Sequence, residues 1–229
     1  MPAAFSIQRK DATSGFGYSR VTFPKLATET LAPYAETWFS QTIASAGAVT
    51  KSERRDGAGK IFHKTENTIA IDGDGTTEPY RARITLRWSY VFDGTVTGCG
   101  SWPCTNGERR YEEYDYDDWG NQVQTRSWGN YDVSGDETTS VAEFYPNSST
   151  YVTNRTARQA SHVGIGTTGT KLTESRIFYD GATLHTVSPT QGLLTKTSVW
   201  RNTDNQFVPQ CNLASCVQYD LFGNVTQTT

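Results

Sequence analysis

Apolar and polar residues alternate most regularly in residues 80–92, YRARITLRWSYVF. Seven apolar or aromatic positions fall on one face: Tyr80, Ala82, Ile84, Leu86, Trp88, Tyr90 and Phe92. The opposite positions from Arg81 to Ser89 carry arginine, threonine and serine. A period of two residues indicates a β-strand, because successive side chains of a strand point to opposite sides. The segment therefore predicts a long strand whose charged face meets water or a polar lumen.

Shorter segments predict four further strands, at residues 140–145, 170–180, 193–200 and 216–220. Between them lie sequences such as PNSST and VGIGTTG, which are typical of turns and loops. Many aromatic, threonine and glycine residues favour strands and turns over helices. The sequence therefore predicts an all-β fold, an extended antiparallel sheet laid out as a strip of hairpins.

One segment is a helix candidate, residues 28–44, TETLAPYAETWFSQTIA. Its interior Pro33 would break a helix or begin one, because proline lacks the N–H that a helix interior needs. This candidate short helix belongs to an N-terminal lead-in, residues 1–50. The remainder, residues 51–229, is predicted to be the hairpin region.

A short motif of tyrosine, aspartate, two variable residues, glycine and asparagine occurs twice in the chain. Its residues are Tyr116, Asp117, Gly120 and Asn121 in the first copy, and Tyr219, Asp220, Gly223 and Asn224 in the second. Aspartate and glycine three positions apart favour a type I turn, in which the carboxylate accepts backbone N–H groups. Glycine adopts positive φ at little cost, which suits a three-residue hairpin loop with a bulge. The motif therefore predicts a hairpin unit, with tyrosine as an aromatic plate before the turn.

Two weaker copies keep only part of the motif. Residues 54–65 place Asp56 and Gly59 at the same spacing, with arginine in the tyrosine position and lysine in the asparagine position. Residues 178–186 keep Tyr179 and Asp180 but lose the glycine and asparagine. Two full copies, one degenerate copy and one half copy indicate a repeat protein.

The two full motifs resemble the YD repeat of the RHS (rearrangement hotspot) family. That family includes bacterial polymorphic toxins, the B and C components of insecticidal toxin complexes, and the animal teneurins. The stretches GFGYSRVT, YDYDDWGNQVQT and YDGATLHTVSPTQGLLTKTSVW are also similar to the region before dense YD arrays in bacterial members. The resemblance implies a β-strip that winds into a hollow shell around a toxic C-terminal domain. The copies here are sparser than in the family's arrays, and neither the self-cleaving core nor a toxin domain is recognised in the sequence.

Composition narrows the functional classes. The chain has 229 residues, a mean hydropathy of −0.59, 12% aromatic residues and a formal charge of −3. The aromatic content argues against disorder, and the small net charge gives no indication of a nucleic-acid partner. No apolar run is long enough to predict a membrane span. The first fifteen residues lack the basic-then-apolar order of a secretion signal, so the chain is interpreted as a piece of a longer polypeptide, secreted or at the cell surface.

Four cysteines form two pairs of identical spacing, Cys99 with Cys104 and Cys211 with Cys216. Three interpretations stay open: two local disulfides at loop tips, reduced thiols, or one zinc site made by all four. A local disulfide needs the two Cα atoms within about 7 Å, which a tight turn allows. Both pairs are therefore candidate disulfides.

No catalytic or cofactor-binding set emerges from the motifs. The segment DGAGK at 56–60 lacks the spacing of a phosphate loop, and DGDGTTE at 72–78 lacks a calcium ligand at the required offset. The three histidines, His63, His162 and His185, do not have metal-ligand spacing. The acidic run 112–118 could hold paired carboxylates for glycoside hydrolysis, from Glu113, Asp115 and Asp117. The same alternation is typical of a half-solvated strand entering a turn, so no catalytic residue, cofactor or metal is predicted.

Tryptophans give a second class of function, because indole rings displayed on a sheet can stack on sugars. The candidates are Trp88, Trp102, Trp119, Trp128 and Trp200, and the alternative is that they pack between hairpins. The favoured hypothesis is a non-enzymatic segment of a toxin-enclosing β-shell. Its expected partners are the rest of the same polypeptide or a second shell subunit, and the enclosed toxin. The alternatives are a cell-surface carbohydrate-binding module, with glycans as partners, and more weakly a glycoside hydrolase.

Overall fold

The computed structural model describes residues 5–6, 16–25, 27, 30–72, 81–99, 103–212 and 215–228. Among these residues the fold is all-β, as the alternation predicts, and its sheets are antiparallel. The chain divides into two compact units. The first unit comprises residues 1–113 and 127–134, and the second comprises residues 114–126 and 135–229.

The strands of the first half are β1 (Phe5–Ser6), β2 (Phe16–Thr22), β3 (Tyr34–Ser40), β4 (Val49–Arg55), β5 (Ile61–Ile71), β6 (Ala82–Val91) and β7 (Glu108–Tyr116). Those of the second half are β8 (Gln122–Asn130), β9 (Thr138–Phe144), β10 (Thr156–Val163), β11 (Lys171–Tyr179), β12 (Leu194–Arg201), β13 (Gln206–Pro209), β14 (Val217–Tyr219) and β15 (Val225–Thr228). All five predicted strands are confirmed, as β6, β9, β11, β12 and β14.

Strand order in the larger sheet is the order of the sequence, from β1 to β13, and β14 pairs with β15 in a two-stranded sheet. Consecutive strands are joined as hairpins, and several pairs change register at a bulge. In the β4–β5 and β14–β15 hairpins the bulge lies next to the turn. Strands β2 and β3 lie within the predicted lead-in of residues 1–50. Strand β3 pairs with β4, most of which lies in the predicted hairpin region of residues 51–229.

The candidate helix at 28–44 is wrong. Within its described part, Tyr34–Ser40 forms strand β3, and only a single 3₁₀ turn follows at Ile43–Ser45. In β3 the side chain of Glu36 is buried because it pairs with Arg20 of the neighbouring strand β2, with a hydrogen bond of 2.9 Å from Nε. Periodicity alone missed this strand, since one of its inward positions is a charged residue that needs a partner from another strand.

The first unit has a core of aromatic side chains on one face of β5, β6 and β7. The buried cluster contains Ile61, Trp88, Tyr90, Phe92 and Cys104. Aromatic rings continue outward from it, because Trp88 lies 4.6 Å from Tyr111 between ring centroids. The apolar face predicted for β6 is thus the face that is buried, and its three last aromatic residues carry most of the core.

The second unit is held by charge as much as by apolar packing. On β11, Glu174 is only 4% exposed and binds Arg158 of β10 at 2.8 Å and Lys171 at 2.9 Å. Arg158 also binds Glu143 of β9 at 2.6 Å, so the ion pairs extend across three adjacent strands. A buried carboxylate is tolerated only with such partners, because the loss of hydration must be offset by close cations.

Candidate functional site: the aspartate corners

The first full motif closes the β7–β8 hairpin. The N–H of Asp117 donates to the carbonyl of Asn121 at 3.0 Å, and the N–H of Gly120 donates to the carbonyl of Asp117 at 3.0 Å. Oδ1 of Asp117 accepts the N–H groups of Trp119 at 3.0 Å and Asn121 at 2.8 Å. Its Oδ2 accepts the Asn121 side-chain amide at 2.8 Å. One carboxylate therefore satisfies three donors inside a three-residue loop.

The second full motif repeats this bond set in the β14–β15 hairpin. Asp220 exchanges the same backbone bonds with Asn224 and Gly223, at 2.9 and 3.1 Å. Oδ1 of Asp220 accepts the N–H of Phe222 at 2.9 Å and of Asn224 at 2.8 Å, and Oδ2 accepts the Asn224 amide at 2.9 Å. The Asn224 amide and these N–H groups lower the pKa of Asp220 below its ordinary value. We call this arrangement an aspartate corner.

The degenerate copy also forms an aspartate corner, between β4 and β5. The N–H of Asp56 donates to the carbonyl of Lys60 at 3.0 Å, and Oδ1 of Asp56 accepts the N–H of Lys60 at 2.8 Å. The glycines of the three corners have φ of +84°, +91° and +82° for Gly59, Gly120 and Gly223. The backbone exchange therefore needs only aspartate and glycine, while asparagine adds the side-chain amide.

The half copy forms an expanded corner. The N–H of Asp180 donates to the carbonyl of Leu193 at 2.8 Å, and Oδ1 of Asp180 accepts the N–H of Leu193 at 2.8 Å. This is the same exchange as in the tight corners, made across a longer loop. Oδ2 of Asp180 accepts N–H groups of the loop from Thr190 to Gly192. Burial alone would raise the pKa of Asp180, but these N–H groups outweigh it and lower the pKa.

Two motif tyrosines, Tyr219 and Tyr179, attach their corners to an earlier strand. The hydroxyl of Tyr219 donates to the carbonyl of Leu194, the first residue of β12, at 2.8 Å. The hydroxyl of Tyr179 donates to the carbonyl of Thr156, the first residue of β10, at 3.0 Å. In the degenerate copy, Arg55 takes the tyrosine position and donates to the carbonyls of Gly59 and Thr97 at 2.6 and 2.8 Å. The position before the aspartate thus supplies a hydrogen-bond donor to a backbone carbonyl.

We expect Asp117→Ala to destabilise the β7–β8 hairpin by about 1–2 kcal/mol, because it removes the acceptor of three donors. Local hydrogen exchange of residues 117–130, measured by mass spectrometry, should rise. Asp118→Ala is the matched control, since the corresponding position holds glycine in one corner and leucine in another. Equal protection in the two variants would contradict the role given to the Asp117 carboxylate.

Both cysteine pairs are disulfides in the structure. Cys99 and Cys104 are joined with a Cα–Cα distance of 5.4 Å, and Cys211 and Cys216 with 5.8 Å. Cys104 and Cys216 are buried, at 0% and 1% exposed. Each disulfide therefore links its loop to a buried cysteine, and neither lies at an exposed loop tip.

The candidate carboxylates of the acidic run 112–118 bind neighbouring groups of the fold. The Asp115 carboxylate binds Arg126 through two hydrogen bonds, at 2.5 and 3.0 Å. Glu113 accepts the hydroxyl of Tyr111 at 2.7 Å, and Asp117 forms the corner. Each carboxylate that was a candidate for glycoside hydrolysis thus has a role in a hairpin.

The candidate tryptophans differ in burial and in the groups that they contact. Trp88 is buried, and Trp128 packs on Tyr111 at 4.7 Å between ring centroids. The indole N–H of Trp200 donates to Asn205 at 2.8 Å, while Trp119 is 46% exposed at its corner. Trp102 lies outside the described residues. Of these candidates for sugar stacking, Trp119 is exposed at its corner, whereas the Trp128 ring is packed against another aromatic residue.

An open groove of about 790 Å³ lies along β8 to β12 in the second unit. Its lining is mostly neutral and polar, with Gln122, Gln159, Ser161, Thr173 and Ser175 among the residues. Among the described residues that line the groove, the one ionisable side chain is Glu174, whose carboxylate is bound by Arg158 and Lys171. Burial alone would raise the pKa of Glu174, but these two cations lower it to about 2. The groove therefore presents hydroxyl and amide groups without a free charge from its walls.

Sequence patterns did not indicate two of these features. Arg158 of β10 joins Glu174 of β11 to Glu143 of β9, and only the register of these three strands brings the three residues together. The buried Lys64 is likewise a polar residue within an apolar core, where it binds Glu66 at 2.8 Å. Alternating charge on adjacent predicted strands was the available signal, but it requires the register to be known.

In the part of the chain that the structure describes, no group of three or more histidine, cysteine, aspartate or glutamate side chains is arranged to hold a metal ion. No helix within the described ranges is long and apolar enough to cross a membrane. Neither the models of known protein families nor the curated proteins contain a match to this chain.

Proposed function

We propose that the chain is a non-enzymatic structural segment of an RHS/YD-repeat protein, contributing β-strip to the wall of a shell that encloses or delivers a toxin domain. The observation that carries this proposal is the aspartate corner. The same backbone exchange, with Oδ1 of the aspartate accepting the N–H of the residue four positions on, closes three hairpins, at Asp56, Asp117 and Asp220. A repeated corner is a building device, since it ends one strand and begins the next at a fixed geometry.

The arrangement of the strands supports the same function. Strand order equals sequence order in the larger sheet, which is how a strip extends by adding hairpins. The aspartates and glutamates of the candidate catalytic run bind neighbouring groups rather than converging on a cleft. The two disulfides support a secreted or cell-surface location, because such bonds persist in oxidising surroundings.

The test uses the complete polypeptide in which this segment occurs, purified as its gene encodes it. Electron cryomicroscopy should show a hollow β-shell with density inside, and the enclosed domain should resist protease. A Gly120→Val, Gly223→Val double variant should lose that protection, while Gly98→Val should retain it, because Gly98 lies outside the positive-φ region with open space around it. A polypeptide without an enclosed domain, or protection unchanged in the double variant, would overturn the proposal.

A further inference from the structure

The two cysteines of the Cys99–Cys104 disulfide differ in exposure. Cys104 is 0% exposed and belongs to the buried cluster with Trp88 and Tyr90. Cys99 is only partly buried and packs against the outside of that cluster. An external thiolate can therefore approach the sulfur of Cys99, and the sulfur of Cys104 is then the leaving group.

A lysine lies next to the sulfur that would leave. Nζ of Lys64 is 3.6 Å from Sγ of Cys104. Lys64 is itself 8% exposed and is held on β5 by its 2.8 Å ion pair with Glu66. On the adjacent strand its register partner is Tyr90, whose ring centroid lies 5.6 Å from Nζ. Neighbours on both strands thus fix the ammonium group, and Glu66 engages it without displacing it from the sulfur.

Burial and charge act in opposite directions on a Cys104 thiolate. A fully buried thiolate without a partner would be strongly disfavoured, because its hydration is lost. A cation within hydrogen-bonding reach reverses this, since it stabilises the thiolate over the thiol. A more stable leaving thiolate also departs faster in disulfide exchange. Lys64 therefore speeds the opening of this bond from the Cys99 side.

We propose that the Cys99–Cys104 disulfide is a thiol-exchange site of fixed polarity, with Cys99 as the modified residue and Lys64 as the group that stabilises the leaving thiolate. A small-molecule thiolate, such as glutathione, attacks Sγ of Cys99. The new S–S bond joins glutathione to Cys99, the old S–S bond breaks, and its electron pair remains on Sγ of Cys104 beside the Lys64 ammonium. A second thiolate then releases Cys99 as a thiolate and leaves as glutathione disulfide. The protein disulfide is reduced by two electrons, and two glutathione thiols are oxidised.

The experiment treats the oxidised, folded chain with a limiting amount of glutathione, blocks free thiols with iodoacetamide, and maps both modifications by peptide mass spectrometry. Glutathione should be found on Cys99 and the alkyl group on Cys104. The second-order rate of opening is then measured for Lys64→Met and Lys64→Arg. We expect the methionine variant to react about fivefold more slowly, and the arginine variant to stay close to the wild type, because it keeps the positive charge.

Opening of Cys211–Cys216 in the same molecules serves as the internal reference, and its rate should not change with the residue at position 64. Lys51→Met, on β4, is the matched lysine control. A glutathione adduct on Cys104 would overturn the proposal, as would equal rates for the methionine and arginine variants, or faster opening of Cys99–Cys104 in Lys64→Met. The position of the adduct in the wild type tests the polarity without any substitution.

Discussion

Glu174→Gln is expected to destabilise the second unit by about 2–3 kcal/mol at neutral pH. The carboxylate is 4% exposed and contacts Arg158, Lys171 and Arg176. Breaking a buried ion pair by removing one partner costs about 3–5 kcal/mol, since the remaining charge loses its counterion. The three cations are partly exposed, and Arg158 keeps Glu143, so water and that second pair reduce the cost.

Glu174 also makes the stability of the second unit depend on pH. The pKa of Glu174 is about 2 in the fold, against 4.5 as its ordinary value. A carboxyl whose pKa is depressed by folding stabilises the fold above the unfolded value, and that contribution disappears as the pH falls through the folded value. At pH 7 the free energy of unfolding of the wild type should therefore exceed that of Glu174→Gln by the whole expected amount. This difference should shrink as the pH falls from 4.5 to about 2.

Hydrogen exchange of β10, β11 and β12, followed by mass spectrometry over this pH range, measures the effect within the unit. Glu143→Gln is the matched control, because it removes a partner of the same Arg158 but its side chain is 41% exposed. We expect it to cost less than about 1 kcal/mol. A Glu174→Gln protein as protected as Glu143→Gln at pH 7 would show that the buried carboxylate is not a net stabilising group.

Gly120→Val is expected to destabilise the β7–β8 hairpin by about 2–3 kcal/mol. The residue has φ of +91°, where a β-branched side chain is strained. The corner cannot relax easily, because the N–H of Gly120 is bonded to the carbonyl of Asp117 while the Asp117 carboxylate binds Asn121. Gly223→Val should have a smaller global effect, since its hairpin has strands of only three and four residues.

The melting temperature and the hydrogen exchange of residues 117–130 measure this effect. Gly98→Val is the control, because an added Cβ at Gly98 meets no atom of the described residues within 4 Å and its φ is outside the positive region. A Gly120→Val protein that melts with the Gly98→Val protein would contradict the steric role of the corner glycine.

Local sequence predicted the strands and corners well because their causes are local. The alternation in residues 80–92 predicts one apolar face, and the buried residues of β6, Trp88 and Tyr90, both lie on it. Asp117 and Gly120 determine their turn through bonds within five residues. By contrast, β3 lies within the segment predicted as a helix, and its buried Glu36 is paired by Arg20 of β2, a contact that the local sequence does not contain.

The remainder depends on register, which no single segment contains. Glu174 reaches Arg158 because the β10–β11 register places Glu174 opposite Ala160 and Arg176 opposite Arg158. The contact of Lys64 with Cys104 needs the disulfide to bring residue 104 onto the strand. Local sequence also does not indicate the expanded corner at Asp180, because its partner Leu193 lies thirteen residues away along the chain.

Strand order that follows the sequence also affects how the chain folds. In the larger sheet each strand finds its partners in its immediate predecessor and successor, so distant segments need not meet before pairing begins. Short loops close with little loss of entropy, and domains with nearby contacts fold faster than those with distant ones. Each finished hairpin offers an edge to the next strand to leave the ribosome. The polypeptide can therefore fold progressively during synthesis, from the N-terminus onward.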